Sequence, residues 1–141
     1  MHLDSKVVPS IARDSIATLM HDGDVEIEPL RVADAEMDLS AIMREYLTSE
    51  AQVTAATREA LARRGLDEVA FERVHQEMAD ARGFKTGDAG IEYVIDQMIE
   101  FLLLSRNVEE VFAGDAVLRA KLREVMSRHL GMEQAPGAPT G

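Results

Sequence analysis

The sequence predicts an all-α fold, a bundle of about five helices, and three observations carry that reading. Apolar residues recur at three- and four-residue spacings along almost the whole chain, which is the helical period. Arg64-Gly65-Leu66, Arg82-Gly83-Phe84 and Leu130-Gly131-Met132 each place Gly after such a run with an apolar residue next, the mark of a Schellman cap. Only residues 25–29 alternate apolar and acidic side chains, and no second strand-like run exists to pair with them. An isolated two-stranded ribbon is marginal in water, so this stretch reads as an extended linker.

The elements follow in order. Val8, Ile11, Ala12, Ile16, Leu19 and Met20 form the stripe of a first helix. Asp4 or Ser5 can cap it, Pro9 belongs in its first turn, and Gly23 stops it. A second helix begins between Ala33 and Asp38 and carries Leu39, Ile42, Met43, Tyr46 and Leu47. Thr48-Ser49-Glu50 either breaks this helix or lies within it; Ser49 followed by Gln52 resembles a capping box and favours a break or kink, after which helix resumes through Val53, Ala56, Ala60 and Leu61. The glycine signatures bound a third helix at about Asp67 to Arg82, with Phe71, Val74 and Met78 on its face. The fourth helix, about Ala89 to Ser105, is apolar on most of its circumference towards its end. A helix of that kind must be surrounded by protein, so Ile95, Met98, Ile99, Leu102 and Leu103 are the predicted core. Val108, Val111 and Phe112 make a short apolar turn, and Asp115 caps a fifth helix with Leu118, Leu122, Val125, Met126 and Leu130. Residues 1–131 read as a single all-helical domain and 132–141, with two prolines and no apolar period, as a disordered tail.

An offset of 83 residues aligns 8–47 on 91–130 without gaps, with identities at eight of forty positions, among them Leu19/Leu102, Val25/Val108, Leu39/Leu122 and Met43/Met126. Two readings stay open: a duplicated helix–turn–helix unit, or amphipathic helix pairs that share a phase.

Composition narrows the function classes. The 141 residues contain no Cys, which excludes disulfides, thiolate-held metal clusters and thiol nucleophiles. A formal net charge of −11 disfavours non-specific binding to duplex DNA. The longest apolar stretch, 91–104, is interrupted by Glu92, Asp96 and Glu100 and is too short and charged for a membrane span. No apolar signal core follows Lys6, so the expected location is the cytoplasm.

The chain resembles the bacterial domain of unknown function 507 family. The resemblance rests on Met1-His2-Leu3, on Lys6-Val7-Val8-Pro9-Ser10-Ile11-Ala12 with the Ile16, Leu19, Gly23, Val25 series, and on Val108-Glu109-Glu110-Val111-Phe112 with Leu118-Arg119. It extends to about Leu130. It implies a small helical bacterial protein and lends no catalytic residues.

Candidate chemistry is sparse. Glu72-Arg73-Val74-His75 is a single Glu-x-x-His, whereas carboxylate-bridged di-iron bundles need two. Glu72 and His75 are therefore weak candidate metal ligands, with Glu59 and Glu68 as further oxygen donors, and the expectation is no metal and no cofactor. His21 and His129 fall in last helical turns, where an imidazole meets free carbonyls. Eight Met residues invite a binding-surface reading, but Met43, Met78, Met98 and Met126 sit on apolar stripes and read as core. No nucleophile–base pair or phosphate loop is present, so no catalytic residue is named. The charge anomaly is the basic helix 117–130, where Arg119, Lys121, Arg123 and Arg128 face a single acid, Glu124. These cations either answer acids of the same chain or meet a partner, and they are the candidate interaction residues. The expected function is non-enzymatic binding to protein, as a homo-oligomer. A metal-binding protein or metal-dependent enzyme using Glu72 and His75 is the alternative, and a nucleic-acid or anionic-lipid binder using the basic helix is the third reading.

Overall fold

Asp4 opens the ordered path of the chain by accepting from the Lys6 N–H at 2.9 Å, which caps a 3-10 turn at Ser5–Val7. In the computed structural model, which describes residues 1–131, helix α1 then runs Val8–His21 with Pro9 in its first turn, where its missing N–H leaves no partner unsatisfied. The expected tail, 132–141, lies outside the described residues. Gly23 ends α1 in the left-handed conformation, φ 78°, and the Asp24 N–H reaches back to the Leu19 carbonyl at 2.8 Å. Gly65 and Gly83 close two later helices in the same way, with Leu66 and Phe84 donating to Leu61 and Ala79. Gly131 does not: its φ is −73°, so the third predicted Schellman cap is absent.

Two further expectations are corrected. Residues 25–29 are not wholly linker: β1, Val25–Glu26, pairs antiparallel with β2, Glu110–Val111. Val25 faces Val111 and Glu26 faces Glu110. Two paired residues leave no alternating period to read; the pairing is imposed where the two inter-helix connections meet. The second helix also has no break. α2 is continuous from Val32 to Arg64, about 50 Å at 1.5 Å per residue. A capping box needs a non-helical residue at Ser49, which would shift the downstream stripe. Instead Tyr46, Val53, Thr57 and Ala60 stay in phase on one buried face, and an Ala-rich run favours helix throughout.

Asp67 caps a 3-10 turn, Glu68–Ala70, by accepting from the Val69 N–H at 3.1 Å. α3, Phe71–Ala81, follows, then α4, Gly87–Leu104, and α5, Asp115–Leu130, with Gly114 rather than Asp115 in the cap position. Among the described residues the architecture is all-α, five helices and one two-residue ribbon. α1 packs on α2 and α5, and α4 packs on the same two helices. The helix ends keep the 83-residue offset: α1 ends at His21 and α4 at Leu104, while α2 begins at Val32 and α5 at Asp115.

The main core joins α1, the N-terminal half of α2, α4 and α5, with Val25, Ile27 and Val108 from the connections. A second, small cluster joins Ala60 and Leu61 of α2 to Val74 of α3, flanked by Phe71 and Met78. The C-terminal half of α2 and α3 thus form an arm with its own apolar contact. In α4, Ile91, Val94, Ile95, Met98, Ile99 and Leu102 are buried. Leu103, expected in the core, is 60% exposed, and Leu104 is 75% exposed. Successive helical residues point about 100° apart, so burying Leu102 turns Leu103 outward, and no element among the described residues covers that side.

Leu102→Ala should cost about 2–5 kcal/mol, the transfer term plus a cavity. Leu103→Ala should stay within about 0.5 kcal/mol. Urea unfolding of the two variants checks the assignment; equal losses would contradict it.

Candidate functional site

The cations of α5 face acids of the same chain. Arg123 Nη2 and Nε donate to Glu92 at 2.7 and 2.9 Å, and Arg119 reaches Asp96 at 2.6 Å and Asp115 at 3.3 Å. Lys121 donates to Asp22 at 3.0 Å and also to Asp24 in the turn that closes α1. The hydrogen bond from Arg123 is the main cause that holds the Glu92 carboxyl below its ordinary range. Asp96 and Asp115 raise the Arg119 guanidinium, Glu92 raises that of Arg123, and Asp24, then Asp22, raise the Lys121 ammonium. Arg128 is exposed and makes no ion pair among the described residues. His129, in the last turn of α5, meets Asp14 of α1 at 2.7 Å rather than a free carbonyl. His21 is exposed, and His2 meets Glu50 at 3.0 Å.

Glu72 and His75 share the first two turns of α3. Glu72 is exposed, and the His75 ring stacks on Phe71 at 5.5 Å between centroids. The Arg58 guanidinium covers Phe71, 4.6 Å from the ring centre. Glu59 pairs with Arg63 and Glu68 with Arg58. Among the described residues no three His, Asp or Glu side chains come together as a metal-binding group.

A cleft of about 550 Å³ opens where the arm leaves the bundle, between α2, the α3–α4 turn and α4. Tyr46 anchors it. Its hydroxyl donates to the Lys85 carbonyl at 2.7 Å, and its ring stacks on Phe84 at 4.9 Å with Tyr93 at 6.4 Å. Gly90 permits this approach: a Cβ there would overlap the Tyr46 hydroxyl and stand 2.7 Å from the Lys85 carbonyl oxygen. Burial, with the Glu50 charge as a smaller cause, pushes the Tyr46 phenol up to about 12. Sequence reasoning missed this cleft. The nearest signal was the Gly83-Phe84 cap, which requires Phe84 to pack but cannot say that its neighbour is Tyr46, nearly forty residues earlier.

Large apolar side chains remain in water at the opposite end. Leu30, Met37, Leu103, Leu104, Phe112 and Val117 are all exposed, Leu30 to 94%. They belong to the turn before α2, the first turns of α2 and α5, the end of α4 and the connection after β2. Arg31 ties this end by donating to the Arg106 carbonyl at 2.7 Å, and the Asn107 amide donates to Asp38 at 2.9 Å.

Two measurements test the Tyr46 anchor. An unfolded tyrosine ionises near 10 and Tyr46 near 12, so between those pH values the unfolded state loses its proton first. The stabilising effect of the neutral phenol is fully present below about pH 10 and falls as pH rises to about 12. The loss should be smaller in Tyr46→Phe, as read by urea unfolding at stepped pH; parallel curves would contradict it. Gly90→Ala should cost about 1–3 kcal/mol by overpacking and should move the Tyr46 titration towards 10, seen in the ultraviolet phenolate band.

No curated protein matches the chain. No helix among the described residues is long and apolar enough to cross a membrane. The family model described as Protein of unknown function (DUF507) matches residues 1–136, almost the whole chain, and the chain belongs to that family.

Proposed function

We propose that this protein works without enzymatic chemistry, as a helical binding protein that docks through its apolar end onto a second copy of itself. The observation that carries the reading is the company of Leu30, Leu103, Leu104 and Phe112 at one end of the bundle, each more than half exposed. Apolar side chains gathered at one end cost free energy in water, and a partner surface removes that cost. Closed twofold pairing is the commonest way for one chain to cover such a surface, because the same patch serves both copies. The engaged state of Arg119, Lys121 and Arg123 supports protein over phosphate: a nucleic acid or anionic lipid must first displace Glu92, Asp96, Asp22 and Asp24. Arg128 is exposed and makes no ion pair among the described residues, and it lies in the last turn of α5, away from the apolar end.

The charge of −11 per chain makes two copies repel. Association driven by apolar burial should therefore strengthen as salt screens that repulsion, the reverse of a phosphate complex. Sedimentation equilibrium from micromolar to millimolar protein should show dimer, increasing with salt and abolished in the Leu103→Ser, Leu104→Ser double variant. A monomer under all conditions would overturn self-association. Tight, salt-sensitive RNA or vesicle binding lost on reversing Arg119, Lys121 and Arg123 would replace this reading with the phosphate-binding one.

A further inference from the structure

The cleft beside Tyr46 lies away from the apolar end and has a different character. Its floor is apolar and rigid: Val53 and Val94 are buried, and Tyr46 is fixed by its hydrogen bond to the Lys85 carbonyl and its stack on Phe84. One wall is the ring of Tyr93, 42% exposed. Its size, about 550 Å³, falls within the range of small-molecule sites.

The rim holds unspent polar groups. Arg82 and Lys85 both line the cleft, and neither makes an ion pair among the described residues. That contrasts with the cations of α5, which are all paired except Arg128. The one carboxylate lining the cleft is Glu45, with Glu50 close enough to act on Tyr46, so two unpaired cations stand against two acids here in a chain of net charge −11. Ser49, Gln52 and Gln97 also line it, and their side chains make no hydrogen bond among the described residues. In salt the field of distant acids fades over about 8 Å, so an anion inside the cleft responds chiefly to Arg82, Lys85, Glu45 and Glu50, whose charge also acts on the Tyr46 phenol.

We propose that this cleft binds a small planar aromatic carboxylate. The ring would lie against Tyr93 and Phe84, where aromatic faces and edges attract one another. The carboxylate would take charge-assisted hydrogen bonds from Arg82 and Lys85, and Gln52 and Gln97 would serve the remaining polar edge. The Tyr46 hydroxyl, already committed to Lys85, positions the floor and the turn that carries both cations.

The test compares 2-naphthoate with 2-naphthamide, which share size and shape and differ in charge. Each is titrated into the full-length protein while backbone amide shifts are followed by nuclear magnetic resonance. Naphthoate should give saturable shifts centred on Gly83, Lys85, Tyr93 and Gln97, and should bind about tenfold more tightly than naphthamide. The double variant Arg82→Gln, Lys85→Gln alters only exposed side chains, and its amide spectrum reports whether it folds. It should bring naphthoate down to the affinity of naphthamide, while Tyr93→Ala should weaken both. The Leu103→Ser, Leu104→Ser variant should bind both probes as the wild type does. Shifts absent from the cleft, equal affinity for the two probes, or unchanged naphthoate preference in the double variant would each overturn the proposal.

Discussion

The structure depends on taking α4 out of water. Ile91, Val94, Ile95, Met98, Ile99 and Leu102 cover more of its circumference than one neighbour can bury. α2 supplies one side and α5 the other, so the chain must bring its second and last helices onto α4. The β1–β2 ribbon is a consequence of that closure. It joins the α1–α2 connection to the α4–α5 connection, and the Glu109 N–H donates to Glu26 and the Phe112 N–H to Asp24, each at 2.8 Å. Two residue pairs could not hold a ribbon alone; the packed helix ends beneath them do.

Charge follows the same geometry. α5 carries its cations on the flanks of its buried stripe, where they meet Glu92 and Asp96 of α4 on one side and Asp22 and Asp24 on the other. Each pair is partly exposed, so its contribution to stability is modest. Its structural effect is to place opposite charge along the seams between α5, α4 and the end of α1. The acids left over give the rest of the surface its negative balance, against which the unpaired Arg82 and Lys85 beside the Tyr46 cleft stand apart.

Much of the fold is legible in the sequence because it depends on local rules. Gly23, Gly65 and Gly83 take the left-handed conformation that their helix-end positions call for, and the stripes of α1, α4 and α5 place their buried residues. The misreadings share one cause, the weight of distant contacts. Ser49 and Gln52 have the chemistry of a cap, but the buried phase from Tyr46 to Ala60 holds α2 together across them. Leu103 has the chemistry of a core residue, but the neighbours of α4 leave its side open. The cleft was invisible for the same reason: Tyr46, Phe84 and Tyr93 come from separate elements, and only the path of the arm brings them together. The pairing of Arg119 and Arg123 with Glu92 likewise needs the packing of α4 on α5, although the excess of cations in one helix was visible.

Among the described residues the apolar cluster of the arm is small, Ala60, Leu61 and Val74, whereas α4 sits in the main core. Native-state hydrogen exchange, followed amide by amide in rising urea, tests that division most directly. Amides of Val94, Ile95, Met98 and Ile99 should exchange only through global unfolding, with its full urea dependence. Those of Val74 and Met78 in α3 should exchange through a smaller opening at lower free energy. Amides of α4 that exchange as readily as those of α3 would contradict a fold organised around α4.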